Sequence, residues 1–202
     1  MKIGIIDIEM GNLYSIEKSL NYLNQNFIIS SDIKNLAKCD KFILPGVGAF
    51  NSAMQKIKRK DIDKFLISEL KKKKSILGIC LGMQLLGSKS YEFKKTDGLN
   101  FNNLAFVPFK NKINKVDFHI GFNEVKYPEN SILFKNIPQN SDFYFVHGYY
   151  AKPLNESKRY GLSMYKKRFV SSYEKDNIFG VQFHPEKSHI FGVNIFKNFL
   201  KI

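Results

Sequence analysis

The chain of 202 residues is 44% hydrophobic and has a formal net charge of +14, with 32 Lys and Arg against 18 Asp and Glu. That length supports one sizeable core, so a single domain over residues 1–202 is expected. No apolar run approaches the roughly 20 residues needed to cross a bilayer. The opening MKIGIIDIEM enters a strand-like run without a signal-peptide pattern, which makes the cytoplasm the expected location and excludes a membrane partner.

The positive charge is mostly lysine spread along the chain, with Lys71–Lys74 the only compact run, at a helix end where cations suit the dipole and stay solvated. No basic segment is interleaved with spaced aromatics, so a nucleic-acid partner is not expected. The two cysteines, Cys39 and Cys80, lie in unlike contexts, which argues against a disulfide framework and for a reducing compartment. Cys39, in the polar stretch AKCDK, reads as an inert filler residue.

In chain order, Lys2–Asp7 is an apolar strand, and Leu13, Ile16, Leu20 and Leu23 recur at helical spacing. Phe27–Ser30 and Lys41–Leu44 read as strands, the second stopped by Pro45-Gly46; helices follow over Ala49–Lys58 and Asp61–Lys73. Ser75–Ile79 is the next strand, with a helix from Leu81 directly after it. This alternation predicts an α/β fold with a parallel sheet covered by helices. Past residue 95, short β-branched and aromatic runs broken by Asn, Pro and Gly predict antiparallel strands, clearest at Phe143–Tyr150, Gly161–Tyr165, Phe169–Tyr173 and Ile178–Phe183. A helix over Ile190–Leu200 closes the pattern.

Three motifs carry chemistry. Gly78-Ile79-Cys80-Leu81-Gly82 puts a cysteine at a strand-to-helix turn flanked by glycines, the cysteine form of a nucleophile elbow. The helix start beneath the thiol offers N–H groups and partial positive charge for a thiolate or an oxyanion. A buried structural cysteine between packing glycines would look similar. His184-Pro185-Glu186 ends a strand; residues two apart in extended chain share a face, and Pro185 biases His184 toward extended geometry, so imidazole and carboxylate should meet as base and orienter. An exposed loop is the plain alternative for this tripeptide alone. Pro45-Gly46-Val47-Gly48 lacks the P-loop spacing and its Lys-Ser/Thr ending, and its better use is to present a backbone N–H near Val47 or Gly48 opposite that of Leu81. A simple strand-to-helix turn would read the same way in isolation.

Together PGVGAF, GICLGMQLL and GVQFHPEKS resemble the class I glutamine amidotransferases, and DIEMGNL and FYFVHGYY narrow the likeness to the glutaminase subunits of imidazole glycerol phosphate synthases, over about residues 3–200. The resemblance implies a flavodoxin-like three-layer sandwich with a mostly parallel central sheet and an antiparallel C-terminal extension. It implies L-glutamine as substrate and needs neither cofactor nor metal. Cys80 would be the nucleophile, His184 the general base and acid, and Glu186 its partner, with Val47, Gly48 and Leu81 in the oxyanion region. Gln84, Glu92, His147, Gly148 and Tyr149 would hold glutamine. Ammonia would pass to a (β/α)8-barrel cyclase as the other half of a heterodimer, with Asn12, Pro45, Phe122 and Lys187 near the interface, and the Val47 region is expected to reorient on activation.

Two departures stand out: HIGFN replaces an HMGWN-like string, leaving Phe122 for tryptophan, and Gly148 stands where serine is usual. They keep open a related glutaminase that feeds a barrel partner acting on an activated sugar or surface polysaccharide. A cysteine peptidase of related fold would not need Gln84 and Glu92, and a non-catalytic scaffold would not need an intact triad.

Overall fold

The structure is a computed structural model that describes residues 1–110, 112, 113, 115–152 and 159–202. Its first half runs β1 (Ile3–Ile6), α1 (Leu13–Tyr22), β2 (Phe27–Ser30), α2 (Ile33–Leu36), β3 (Lys41–Leu44), α3 (Phe50–Arg59), α4 (Ile62–Lys71), β4 (Ser75–Ile79) and α5 (Leu81–Leu85). There follow β5 (Lys89–Ser90), β6 (Thr96–Asp97), β7 (Ala105–Pro108), β8 (His119–Val125), β9 (Ser141–His147), β10 (Tyr149–Ala151), β11 (Tyr160–Tyr165), β12 (Lys167–Lys175) and β13 (Ile178–Val181). A 3-10 turn at Pro185–Lys187 and α6 (His189–Lys201) end the chain. No helix is long and apolar enough to cross a membrane among the described residues.

The sheet runs β2-β1-β3-β4-β13-β12-β10-β7-β5-β6, with β11 paired to β12. The β2-β1-β3-β4-β13 block is parallel, the doubly wound order of the flavodoxin type. Beyond β13 the pairs are antiparallel except for parallel β5 and β7. Alternation along the strands divides the core: Ile3, Ile5, Ile43, Leu77, Ile79 and Val181 pack with Ile16 and Leu20 of α1 and Phe196 and Phe199 of α6. Phe42, Leu44 and Ile76 pack with Phe50 and Met54 of α3, Phe65 and Leu66 of α4 and Met83 of α5. Strands buried on both faces need nearly continuous apolar sequence, which is why IGII, SILGI and IFGV could be read as strands directly.

Three expectations need correction. Ile178–Phe183, expected among the antiparallel strands, ends at Val181 and is antiparallel only to β12; its other neighbour, β4, runs parallel to it. Phe143–Tyr150 is not one strand: it breaks at Gly148, and β9 pairs with β8 in a separate ribbon while β10 joins the main sheet. Cross-strand partners distant in sequence decide this, and local propensity does not register them. The chain past His184 is also not extended. Pro185 takes the first position of a 3-10 turn, a place proline favours because it lacks an N–H, and Glu186 lies within that turn. The short α2, β5 and β6 gave no periodic signal long enough to read. Cys39 is buried, and burial pushes its thiol pKa up, as an inert filler should show.

Candidate active site

In open α/β sheets, ligands bind outside the carboxyl ends of the strands. Here β3, β4 and β13 deliver Pro45–Gly48, Cys80 and His184 to that edge. Cys80 takes φ 53°, ψ −111°, a left-handed conformation that side chains rarely adopt, and its N–H donates to Val181 O at 2.8 Å, fixing it beside β13. The flanking glycines are steric necessities. A Cβ on Gly82 would lie 1.7 Å from Leu44 O, and one on Gly78 would lie 2.8 Å from the Gly82 carbonyl.

His184 Nδ1 sits 2.7 Å from Glu186 Oε1, with both side chains almost wholly buried. The turn brings carboxylate to ring where an extended chain was expected to. The backbone of His184 is held by its N–H to Tyr144 O at 2.8 Å and by the Ser188 hydroxyl, which donates to His184 O at 2.6 Å. Burial opposes charging of the ring and is the largest single influence. The nearby Cys80 sulfur and the Glu186 carboxylate outweigh it and push the His184 pKa up to about 10. His184 Nε2 is buried without a completed hydrogen bond, so we attribute the sulfur's influence chiefly to charge at close range. The sulfur itself lies 3.8 Å from Val146 O and 3.7 Å from Gln182 Nε2. The ring is thus oriented by Glu186 and basic enough to hold a proton drawn from a thiol.

Cys80 opens into a cavity of about 660 Å³ lined also by Val47, Gly48, Leu81, Gln84, Glu92, His147, Gly148 and Tyr149, which gathers every oxyanion and substrate candidate named from sequence. The Val47 N–H donates to Met10 O at 3.0 Å, so in this state it does not face the cavity as a donor. Gly48 has φ +108°, and a Cβ there would meet Met10 Cε at 2.8 Å. Leu81 begins α5, where an N–H has no intrahelical partner. Glu92 Oε2 accepts from Phe50 N at 2.6 Å, capping α3 at the cavity edge.

His147 is committed on both nitrogens. Asn123 Nδ2 approaches His119 Nε2 at 3.1 Å, His119 Nδ1 lies 3.1 Å from His147 Nε2, and His147 Nδ1 lies 2.8 Å from Tyr149 O. An amide N–H can only donate and a carbonyl only accept, which fixes both tautomers: Asn123 donates to His119, His119 to His147, and His147 to Tyr149 O. Burial lowers the pKa of His119 to about 4 and that of His147 to about 3, keeping both neutral. His147 therefore shapes the cavity through the backbone after Gly148. Gln84 Nε2 also reaches Tyr149 O, at 3.4 Å, and Gln182 Oε1 at 3.0 Å.

Asn12, Pro45 and Lys187 line a separate cleft of about 30 Å³ with His184 and Glu186, on the other side of Val47. Phe122 stands outside it, stacked on His189 at 5.3 Å and edge-on to Tyr144, whose ring also faces the Lys187 ammonium. Sequence reasoning missed His119, Gln182, Ser188 and the cavity-wall residues Val116 and Phe118. A polar Gln182 interrupting an apolar strand two residues before His184, on the same face, was the legible clue.

The class-I glutamine amidotransferase family model matches residues 4–202. The chain is 40% identical over 196 residues to the imidazole glycerol phosphate synthase subunit HisH of Chlorobaculum tepidum, covering 96% of this chain and 97% of that protein. It is 42% identical to the subunit HisH 2 of Methanococcus maripaludis, covering 98% of each. Among solved structures, PurLQS from Thermotoga maritima superimposes with a TM-score of 0.77 over 99% of this chain and 97% of that one, at 15% identity, a likeness of fold. With the elbow, the paired imidazole and carboxylate, and these full-length matches in hand, the chain belongs to the class-I glutamine amidotransferase family.

Proposed function

We propose that the chain is the glutaminase subunit of an imidazole glycerol phosphate synthase, working through Cys80, His184 and Glu186. Full-length identity to subunits of that name supports the assignment. The observation that supports the mechanism is the buried His184–Glu186 pair, whose ring is influenced by the Cys80 sulfur, while Cys80 itself opens into the cavity that also holds Gln84 and Glu92.

Glutamine enters the cavity with its side-chain amide over Cys80. His184 Nε2 accepts the thiol proton while Glu186 holds Nδ1–H, and the sulfur attacks the amide carbon. The N–H of Leu81, joined by a donor at Val47 or Gly48, stabilises the tetrahedral oxyanion. His184 then returns the proton to the leaving nitrogen, ammonia departs and a γ-glutamyl thioester remains. A water deprotonated by His184 attacks the thioester carbonyl, the C–S bond breaks to release glutamate, and the proton on His184 returns to the Cys80 sulfur.

Because Met10 O occupies the Val47 N–H, the loop rests in a weakly active form, and activation requires that bond to open. The cleft of Asn12, Pro45 and Lys187 behind Val47, continued by Phe122 across Tyr144, is the proposed docking edge for a (β/α)8-barrel cyclase that receives the ammonia. The test is glutamate release by the purified chain with its cyclase. Cys80→Ala is expected to abolish it, and surviving turnover would overturn the mechanism. The cyclase's ribonucleotide substrate should stimulate turnover; an active complex indifferent to it would instead support a sugar-modifying partner, a reading that Phe122 and Gly148 keep in view.

A further inference from the structure

Gln182 is fully buried on the path from β13 to His184, and both ends of its amide are engaged. Their orientation is determined. Gln84 Nε2 lies 3.4 Å from the Tyr149 carbonyl, which can only accept, so that atom is the donor end of Gln84. The same nitrogen is 3.0 Å from the Gln182 amide, whose facing atom must therefore be the oxygen. The Gln182 NH2 is left pointing at the Cys80 sulfur, 3.7 Å away. Tyr149 O is itself anchored by His147, so the amide is held from the cavity wall inward.

We propose that Gln182 is a positioning residue of the nucleophile: its amide, oriented by Gln84, donates an N–H to the Cys80 sulfur and supports the anionic sulfur that attacks the substrate. This rests on Cys80 being the nucleophile. In the thiol state the sulfur accepts a weak bond from Gln182 and its own hydrogen has Val146 O as acceptor. Once the proton moves to His184, the acceptor becomes an anion and the same N–H bond strengthens, so the interaction favours the reactive form over the resting one. Gln84, which lines the glutamine cavity, ties that support to the substrate side.

The test compares wild type, Gln182→Met and Gln182→Glu in the full-length chain. Cys80 alkylation by iodoacetamide at neutral pH is followed on its own peptide by mass spectrometry, so that Cys39 does not contribute, and kcat and KM for L-glutamine are measured alongside. Methionine keeps the volume and removes the donor; alkylation and kcat are expected to fall about tenfold, with KM within about twofold. Glutamate places a carboxylate beside the sulfur and should lower both further. Wild-type alkylation and kcat in Gln182→Met, or a loss confined to KM, would overturn the proposal. Should the methionine variant melt below the assay temperature, the nearly isosteric Gln182→Glu carries the test, and wild-type rates there overturn it equally. Glutamine turnover that survives Cys80→Ala defeats the nucleophile assignment as well, whereas an inactive Cys80→Ala beside an unaltered Gln182→Met defeats this inference alone.

Discussion

The neutral pair His119 and His147 should make the protein lose stability in mild acid. Both rings have an ordinary pKa of 6.5 when unfolded and are depressed by burial to about 4 and about 3 in the fold. A depressed folded pKa means that the stabilisation is complete above pH 6.5 and is lost as pH falls toward the folded values. At about pH 5 each ring costs about 2 kcal/mol, or about 4 kcal/mol together, with a slope of about 2.7 kcal/mol per pH unit from two protons. Other groups leave the window between pH 5 and 6.5 clear. Glu9 and Glu69, held low by lysines, lose their contribution only below the ordinary carboxylate value of 4.5, and His184, raised to about 10, adds stability that only grows toward its full value as pH falls below 6.5. The assay is urea unfolding at a series of pH values, or the melting temperature, expected to drop by about 10 °C between neutral pH and pH 5. His119→Phe isolates the cause. It keeps the stacking of ring 119 on Phe145 and Tyr165, at 4.8 and 4.5 Å, but leaves His147 Nε2 and Asn123 short of a partner. That variant should be less stable by about 1–3 kcal/mol at neutral pH and show about half the acid slope. A wild-type stability flat across the window, or an unchanged slope in His119→Phe, would refute the argument.

Gly82→Ala should cost more than about 4 kcal/mol, because its Cβ would fall 1.7 Å from the carbonyl of Leu44, which is backbone in the central sheet and cannot move aside. Soluble yield and melting temperature check this, and a wild-type melt would contradict the packing. Gly148→Ser has side chains as its nearest neighbours, Val116 Cγ1 at 2.8 Å and Phe118 Cε1 at 3.0 Å, so the cavity wall should shift to admit it at a cost of about 1–3 kcal/mol. The expected result is a severalfold change in KM for glutamine; an unaltered KM would mean that this wall does not touch the substrate.

Much of this molecule is local in origin. The apolar runs IGII, KFIL, SILGI and IFGV are strands because both faces of a parallel sheet are buried, and their limits in the sequence match those in the fold closely. The elbow was legible because two glycines flank the cysteine within five residues; Gly78 answers a local demand from the Gly82 carbonyl, whereas the atom that excludes a side chain at Gly82 is the distant carbonyl of Leu44. His184 and Glu186 were legible because they are two residues apart, although the turn that joins them was read as strand.

What the sequence determined by itself, then, was the alternation of elements and the short motifs that carry the candidate reactive groups, since both follow from neighbours in the chain. Only the tertiary structure decided the break at Gly148, the tautomers of His119 and His147, the orientation of the Gln182 amide and the occupation of the Val47 N–H by Met10. Each of these depends on at least one hydrogen bond or strand pairing between residues tens of positions apart, and such a pairing is settled only when the distant partner arrives.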